Sequence, residues 1–307
     1  MNLNQQNRKT VNEFNVPVHW GHVAVKAWGS PDDPHVLLLH GTFDNAGAFD
    51  NLMPCLPNIF YYICIDLPGH GKSSHFPPAV PINAVNYVVT CKLLTDYFKK
   101  EKYIIIGHSL GAQVAYEFSR LYPDLIDKLI ALDALPFFPI ETKDYISTVR
   151  LILNKTVEIQ QKLDAGEIPS YNYEEILKNT MKRRYKGETL TSEAAEPILK
   201  RCLQPTGDGR FVVTTDPRVA WPFIPFNDTR YKLASLKADP LRCPVLIIFA
   251  KSNDYPRKTY KKLYEQLPKL KDVNIVYIDG KHDVHNKNPE LVAPHVSKFL
   301  LAQNSKM

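Results

Sequence analysis

The sequence predicts an α/β fold: a mostly parallel, doubly wound sheet that carries a helical cap. Three observations predict it. Short, continuous apolar runs bounded by turn residues recur along the chain, and hydrophobicity without alternation marks strands covered on both faces, as in a parallel sheet. Helical patterns lie between several of these runs, and strand–helix–strand–helix order is the signature of doubly wound winding. Finally, about a hundred residues separate two of the runs, far more than a structureless loop in a compact domain would span.

The elements follow in chain order. The opening "MNLNQQNRKTVNEF" lacks the apolar stretch of a signal peptide, so residues 1–15 read as a polar, mobile tail. Runs at Val16 to Val18 and His22 to Ala27 suit an antiparallel pair at the sheet edge. "HVLLLHG" from His35, "FYYICIDLPGHG" from Phe60, "YIIIGHS" from Tyr103 and "KLIALDALP" from Lys128 are the first parallel strands. After the third, Val114, Phe118 and Leu121 fall at i, i+4 and i+7, and Pro123 stops that helix. "PVLIIFA" from Pro244 and "NIVYIDG" from Asn274 complete the set. The core is therefore 16–134 with 232–303. The interval 135–231, inserted between the strands near 128–133 and 245–250, holds the stretches "DYISTVRLILNKTVEIQQKL", "YEEILKNTMKRRY" and "SEAAEPILKRCL" and forms the helical cap. Ligands of open α/β sheets bind beyond the carboxyl ends of the strands, so the cap has to sit there.

Composition narrows the function classes. With 307 residues, 44% hydrophobic and 23% charged, the chain has the balance of a soluble globular protein with ample core. Its apolar runs fall well short of the roughly 20 residues that span a bilayer, so no transmembrane segment is expected. Cys55, Cys64, Cys91, Cys202 and Cys243 are scattered and odd in number, which suits free thiols in the reducing cytoplasm. The net charge is +6, and its densest patch is "MKRRYK" from Met181 to Lys186. No nucleic-acid module accompanies that patch, so it reads as a solvated helix face and no nucleic-acid partner is expected.

The chemistry gathers at "GHSLG". Gly107-His108-Ser109-Leu110-Gly111 follows a strand and opens a helix, the context of a nucleophile elbow. A turn that tight excludes side chains at its glycines and lifts the serine oxygen clear of the sheet. A serine needs a base to take its proton, and His282 stands just beyond the last strand in "DGKHDVHN". His285 makes a His-x-x-His pair with it, but no third ligand is evident, so no metal is expected and His285 reads as a supporting polar residue. In "HGTFDNAGAF", His40-Gly41 turns the chain so that the N–H of Thr42 or Phe43 can join that of Leu110 in holding an oxyanion. Two aspartates satisfy the chain order of acid before histidine. Asp254, after the strand "VLIIFA", has the commoner position, and Asp133, ending "LIALD", is the alternative. Gly71-Lys72-Ser73 resembles the end of a phosphate loop, but Asp66 stands where that loop needs its first glycine. Nucleotide binding is thereby rejected, and Asp66 and His70 read as organisers of their turn.

The segments "HGTFDNAGAFDNL", "FYYICIDLPGHGKSSHF", "GHSLGAQVAYEF", "DKLIALDALPFF" and "FVVTTDPRVAW" together resemble the α/β-hydrolase fold, and within it the animal serine hydrolase-like proteins of the kraken-type group. The similarity covers roughly residues 17 to 300 and is strongest up to Pro136. It implies a serine hydrolase with a capped pocket and no cofactor, with Ser109 and His282 at the nucleophile and base positions. The expected activity is cleavage of an ester or related acyl bond of a small apolar substrate; the alternative is a binding or scaffold protein that keeps the pocket with little turnover. In "DPRVAWPFIPF", Trp221 and Phe223 are expected to line the acyl pocket. The terminal Ser305-Lys306-Met307 is a near relative of the Ser-Lys-Leu address, which makes a peroxisomal import receptor a candidate partner.

Overall fold

The computed structural model describes residues 9–78, 80–182, 184, 187–223 and 228–303. The Ser305-Lys306-Met307 tripeptide and most of the expected tail lie outside the described residues.

The chain enters the sheet earlier than its polarity suggested. Strand β1 (Val11–Val18) pairs antiparallel with β2 (Gly21–Trp28), so residues 11–15 belong to the core and not to a tail. Only Val16 is fully buried in β1, which is why an edge strand with one covered face looked like a tail. There follow β3 (His35–Leu39), β4 (Tyr61–Ile65), α1 (Ala84–Phe98), β5 (Tyr103–His108), α2 (Leu110–Leu121) and β6 (Ile126–Leu132). The insertion contains α3 (Tyr145–Asp164), β7 (Ser170–Tyr171), α4 (Tyr173–Lys182), α5 (Ser192–Cys202), β8 (Leu203–Pro205) and β9 (Phe211–Val213). Helix α6 (Thr229–Ala238), strand β10 (Val245–Ala250), the short α7 (Tyr255–Thr259) and α8 (Lys261–Tyr264), β11 (Val273–Ile278), α9 (Val284–Lys287) and α10 (Pro289–Leu301) complete the chain.

The main sheet has the order β1-β2-β4-β3-β5-β6-β10-β11. Every pair from β4 to β11 is parallel, and β2 runs antiparallel to β4. Alternate residues divide between two apolar clusters. Leu37, Leu39, Ile63, Ile65 and Ile105 pack with Val88, Val114 and Phe118 from α1 and α2. Val36, Leu38, Tyr62 and Ile106 pack instead with Val292, Val296 and Leu300 from α10. With both faces covered, each such side chain contributes roughly 1.5–3 kcal/mol relative to exposure, and this accounts for the unbroken apolar runs.

The insertion is not purely helical. Strands β7, β9 and β8 form a small antiparallel sheet, and runs of two or three half-exposed residues carry no readable period. Helix α6 begins at Thr229 and packs on α8, so the cap ends before the expected boundary at 231. The cap is pressed tightly onto the core. A Cβ on Gly47 would lie 2.2 Å from the carbonyl oxygen of Pro197 in α5, so only glycine permits that approach. No described helix is long and apolar enough to cross a membrane.

Candidate active site

The site is built at the carboxyl ends of β3, β5, β6 and β10. Ser109 stands between β5 and α2 with φ 51° and ψ −116°, a conformation that costs a non-glycine residue about 1–3 kcal/mol. The neighbouring glycines explain why the turn exists at all. A Cβ on Gly107 would lie 2.4 Å from the Gly111 oxygen, and one on Gly111 would lie 2.1 Å from the Leu39 oxygen. The start of α2 is thereby laid directly against the end of β3. Leu110 is the first helical residue, so its N–H has no acceptor within the helix. The turn after β3 lies beside it: Asp44 N–H donates to the Gly41 oxygen at 3.1 Å and closes the turn, and between them Phe43 takes φ 64° with its side chain half exposed.

His282 reaches back to this point from the loop after β11. The Ser109 hydroxyl donates to His282 Nε2 at 2.9 Å, and His282 Nδ1–H donates to Asp133 Oδ2 at 2.7 Å. Asp133 directly follows β6 with φ 56°. Its carboxylate also accepts the Ala250 N–H at 2.8 Å and an Asn253 Nδ2–H at 2.5 Å. Burial by itself would lower the His282 pKa, but the hydrogen bond and charge of Asp133 outweigh it, and Asp283 and Glu188 add to them. The imidazole is held above its ordinary value.

The structure does not bring Asp254 to His282. Its half-exposed carboxylate pairs with Lys258 at 2.6 Å, and that hydrogen bond holds its pKa low. The loop expected to supply the acid supplies Asn253 instead, which steadies Asp133. Because β6 lies between β5 and β10, the end of β6 is beside both the elbow and that loop. The tight turn into the insertion, where Asp133 takes φ 56°, is what aims the carboxylate.

Behind the histidine lies a buried polar cluster that sequence reasoning missed. Arg184, from the basic run expected on a solvated helix face, has a side chain only 8% exposed. Its Nε and Nη2 donate to the two oxygens of Asp283 at 2.9 and 2.6 Å, and its Nη1 donates to Asp44 Oδ1 at 2.8 Å. Burial raises the Asp44 pKa against this single contact, while the fork from Arg184 overcomes the burial of Asp283 and keeps it low. His108 Nε2–H donates to the backbone oxygen of His282 at 3.0 Å. His285 is fully buried, its ring tilted by 36° against that of His108 with centroids 4.0 Å apart, and burial pushes its pKa down to about 3. Asp44, His108 and Asp283 bring potential ligand atoms within 4.8 Å of one another. Arg184 already engages three of the four carboxylate oxygens there, and its charge stands where a metal ion would compete with it. Asp66 and His40 hold the neighbouring turns, Asp66 accepting the Ala46 and Lys72 N–H groups and His40 Nε2 accepting that of Leu67.

A cavity of about 890 Å³ opens within the cap and meets the sheet domain at Phe43 and His75. Phe43, Ile159, Leu163, Ile176, Ile198 and Leu199 give it apolar walls, and Arg184 stands among them. Trp221 and Phe223 are not among its described walls. Phe223 pairs with Asn83 at the start of α1, its N–H donating to the Ile82 oxygen at 2.6 Å. These backbone bonds tie the end of the cap to the start of α1.

Known proteins agree with this architecture. The family model of the alpha/beta hydrolase fold matches residues 34–289. Serine hydrolase-like protein 2 of Homo sapiens is 33% identical over 94% of this chain and 94% of its own. The probable serine hydrolase of Drosophila melanogaster is 28% identical, covering 94% of this chain and 87% of its own. Among solved structures, a hypothetical protein of Pseudomonas aeruginosa PAO1 superposes with TM-score 0.81 at 24% identity, covering 94% of this chain and 98% of that one. A thioesterase domain from the curacin biosynthetic pathway superposes with TM-score 0.76 at 19% identity, covering 94% and 99%.

Proposed function

The chain belongs to the alpha/beta hydrolase fold family, and from that premise we propose that this hydrolase cleaves an ester or related acyl bond through an acyl-enzyme on Ser109. The observation that carries the reading is the hydrogen-bonded chain Asp133–His282–Ser109 on a strained strand-to-helix turn. Ser109 Oγ attacks the acyl carbon while its proton passes to His282 Nε2. Asp133 fixes the tautomer that leaves Nε2 free to accept, and its charge stabilises the imidazolium that forms. The N–H of Leu110, with that of Thr42 or Phe43, receives the oxyanion, aided by the positive end of α2. The imidazolium then protonates the leaving group as the carbon–heteroatom bond breaks. Water, deprotonated by His282, releases the acid and restores the serine. The apolar cavity beside Phe43 suits the acyl portion of the substrate, since such pockets bind mainly through apolar contact. An aspartate-nucleophile mechanism, as in epoxide opening, is disfavoured by a serine at the elbow.

A fluorophosphonate probe tests the reading. It should label the wild type and fail to label Ser109→Ala. Equal labelling of both proteins would remove Ser109 from the mechanism, and labelling of neither would favour a binding protein that keeps a hydrolase-like pocket.

A further inference from the structure

We infer that Arg184 of the cap is a positioning residue for this reaction: one guanidinium clamps the loop of the base to the loop of the oxyanion donors. The inference rests on the acyl-transfer reading above. Its two partners are the immediate chain neighbours of site residues. Asp283 follows His282, and Asp44 follows Phe43. Arg184 therefore touches no reacting group in this arrangement but holds one neighbour of each. The partners lie 99 and 140 positions away in sequence, and both carboxylates are only 1% exposed.

Two buried carboxylates this close repel one another, and without a cation between them at least one must take a proton or turn outward. Arg184 removes that conflict. Its planar fork meets Asp283 through two bonds while the remaining amino group reaches Asp44, a division of donors that a lysine ammonium cannot reproduce. The backbone of His282 has a second tether, its oxygen accepting from His108 Nε2–H, and His108 Nδ1 lies 3.8 Å from Asp44 Oδ2. The base, the elbow and the oxyanion turn are thus tied through one polar cluster whose cation comes from the cap. Arg184 also walls the large cavity, so a ligand filling it bears on the same cap segment. Turnover is thereby made to depend on a seated cap. A displacement of about 1 Å in such a site can cost on the order of 10² in rate.

The full-length wild type and Arg184→Ala are compared on p-nitrophenyl acetate, whose acyl group is too short to need the cavity, and on longer-chain esters. Fluorophosphonate titration gives kcat per competent site, which separates positioning from loss of folded protein. Arg184→Ala should lose about tenfold or more in kcat per titrated site on the acetate. Millimolar guanidinium chloride, but not sodium chloride at the same ionic strength, should restore part of it, and Arg184→Lys should remain impaired. Unchanged kcat per site with only a lower Tm would overturn the clamp, and so would a loss confined to KM for the longer esters. Should Arg184→Ala not fold, Asp44→Asn is read the same way, since it keeps the Asp283 fork: a several-fold loss per site supports the clamp and no loss overturns it. A wild type that neither labels nor turns over would remove the acyl-transfer reading first and the clamp with it. An active wild type beside an equally active Arg184→Ala removes the clamp alone.

Discussion

Two arginines of the cap make nearly the same contacts and differ in what they hold. Arg184 lies between Asp44 and Asp283. Arg201, on α5, lies between Asp66 and Glu13, with Nη2 2.9 Å from one and Nη1 2.8 Å from the other. Both side chains are nearly fully buried, both come from the insertion, and both bind carboxylates of the sheet domain. Yet Asp66 organises the turn after β4 and Glu13 sits in the edge strand, whereas Asp44 and Asp283 adjoin the oxyanion turn and the histidine. A buried ion pair is weak evidence of net stabilisation and no evidence of function by itself. What separates a latch for the cap from a clamp for the site is the covalent neighbour of each partner.

The comparison needs a scale, and the aspartate that touches His282 provides it. Asp133→Asn should lower kcat by about 10⁴, because an amide can neither fix the productive tautomer nor stabilise the imidazolium. Asp254→Asn should leave kcat within about twofold, because its solvent-screened pair with Lys258 does not reach the imidazole. Steady-state rates alongside melting curves decide it; an inactive, folded Asp254→Asn beside an active Asp133→Asn would break the assignment.

Arg201 comes next in size, and its effect should fall on stability. Replacing it with Met leaves Asp66 buried without its cation, which typically costs about 3–5 kcal/mol. The cost should appear as a lower denaturation midpoint, while kcat per probe-titrated site stays near that of the wild type. This is the converse of the profile expected of Arg184. A fall in kcat per site as deep as that of Arg184→Ala would erase the distinction between the two arginines.

The uneven legibility of the molecule has a physical basis. Strands β3 to β6 and β10 were readable because burial on both faces writes a continuous apolar run, and the edge strand β11 kept such a run although only Ile278 in it is buried. Ser109 was readable because its turn is local: the same five residues carry the nucleophile and the two glycines whose Cβ atoms would collide with backbone. His282 followed from its place after the last strand. The acid was not readable in that way, because Asp133 and Asp254 both follow strands that end on the same side, and only the turn at Asp133 aims a carboxylate at the imidazole. Arg184 was least legible. Its sequence neighbours are basic and polar, and nothing within ten residues announces partners about a hundred positions away. A charge that long-range packing buries looks, in sequence, like a charge in water.

The smallest predicted effect concerns pH, and it tests which arginine belongs to the site. His282 must be neutral to accept the Ser109 proton, so kcat/KM should rise with pH as the imidazolium is lost. The groups around it are the anionic Asp133, Asp283 and Glu188, then Asp44, the cation Arg184, and His108 and His285, whose pKa values burial keeps low. Since Asp133, Asp283 and Glu188 outweigh burial, the limb should centre above 6.5, the ordinary histidine value. The linked stability has a definite sign. A raised histidine pKa stabilises the fold fully below 6.5, and the contribution is lost as pH rises through the folded value, so activity and this part of stability change in opposite directions across the same window. Asp283→Asn removes one of the anions that favour the imidazolium and leaves Arg184 facing it, so its limb should move to lower pH. Arg201→Met changes no group in that set, and its limb should coincide with that of the wild type. Profiles of kcat/KM for the three proteins on one short ester give the answer. A limb that shifts in Arg201→Met but stays fixed in Asp283→Asn would show that the electrostatics of His282 are set from the wrong side of the cap, and the contrast between the two arginines would not survive it.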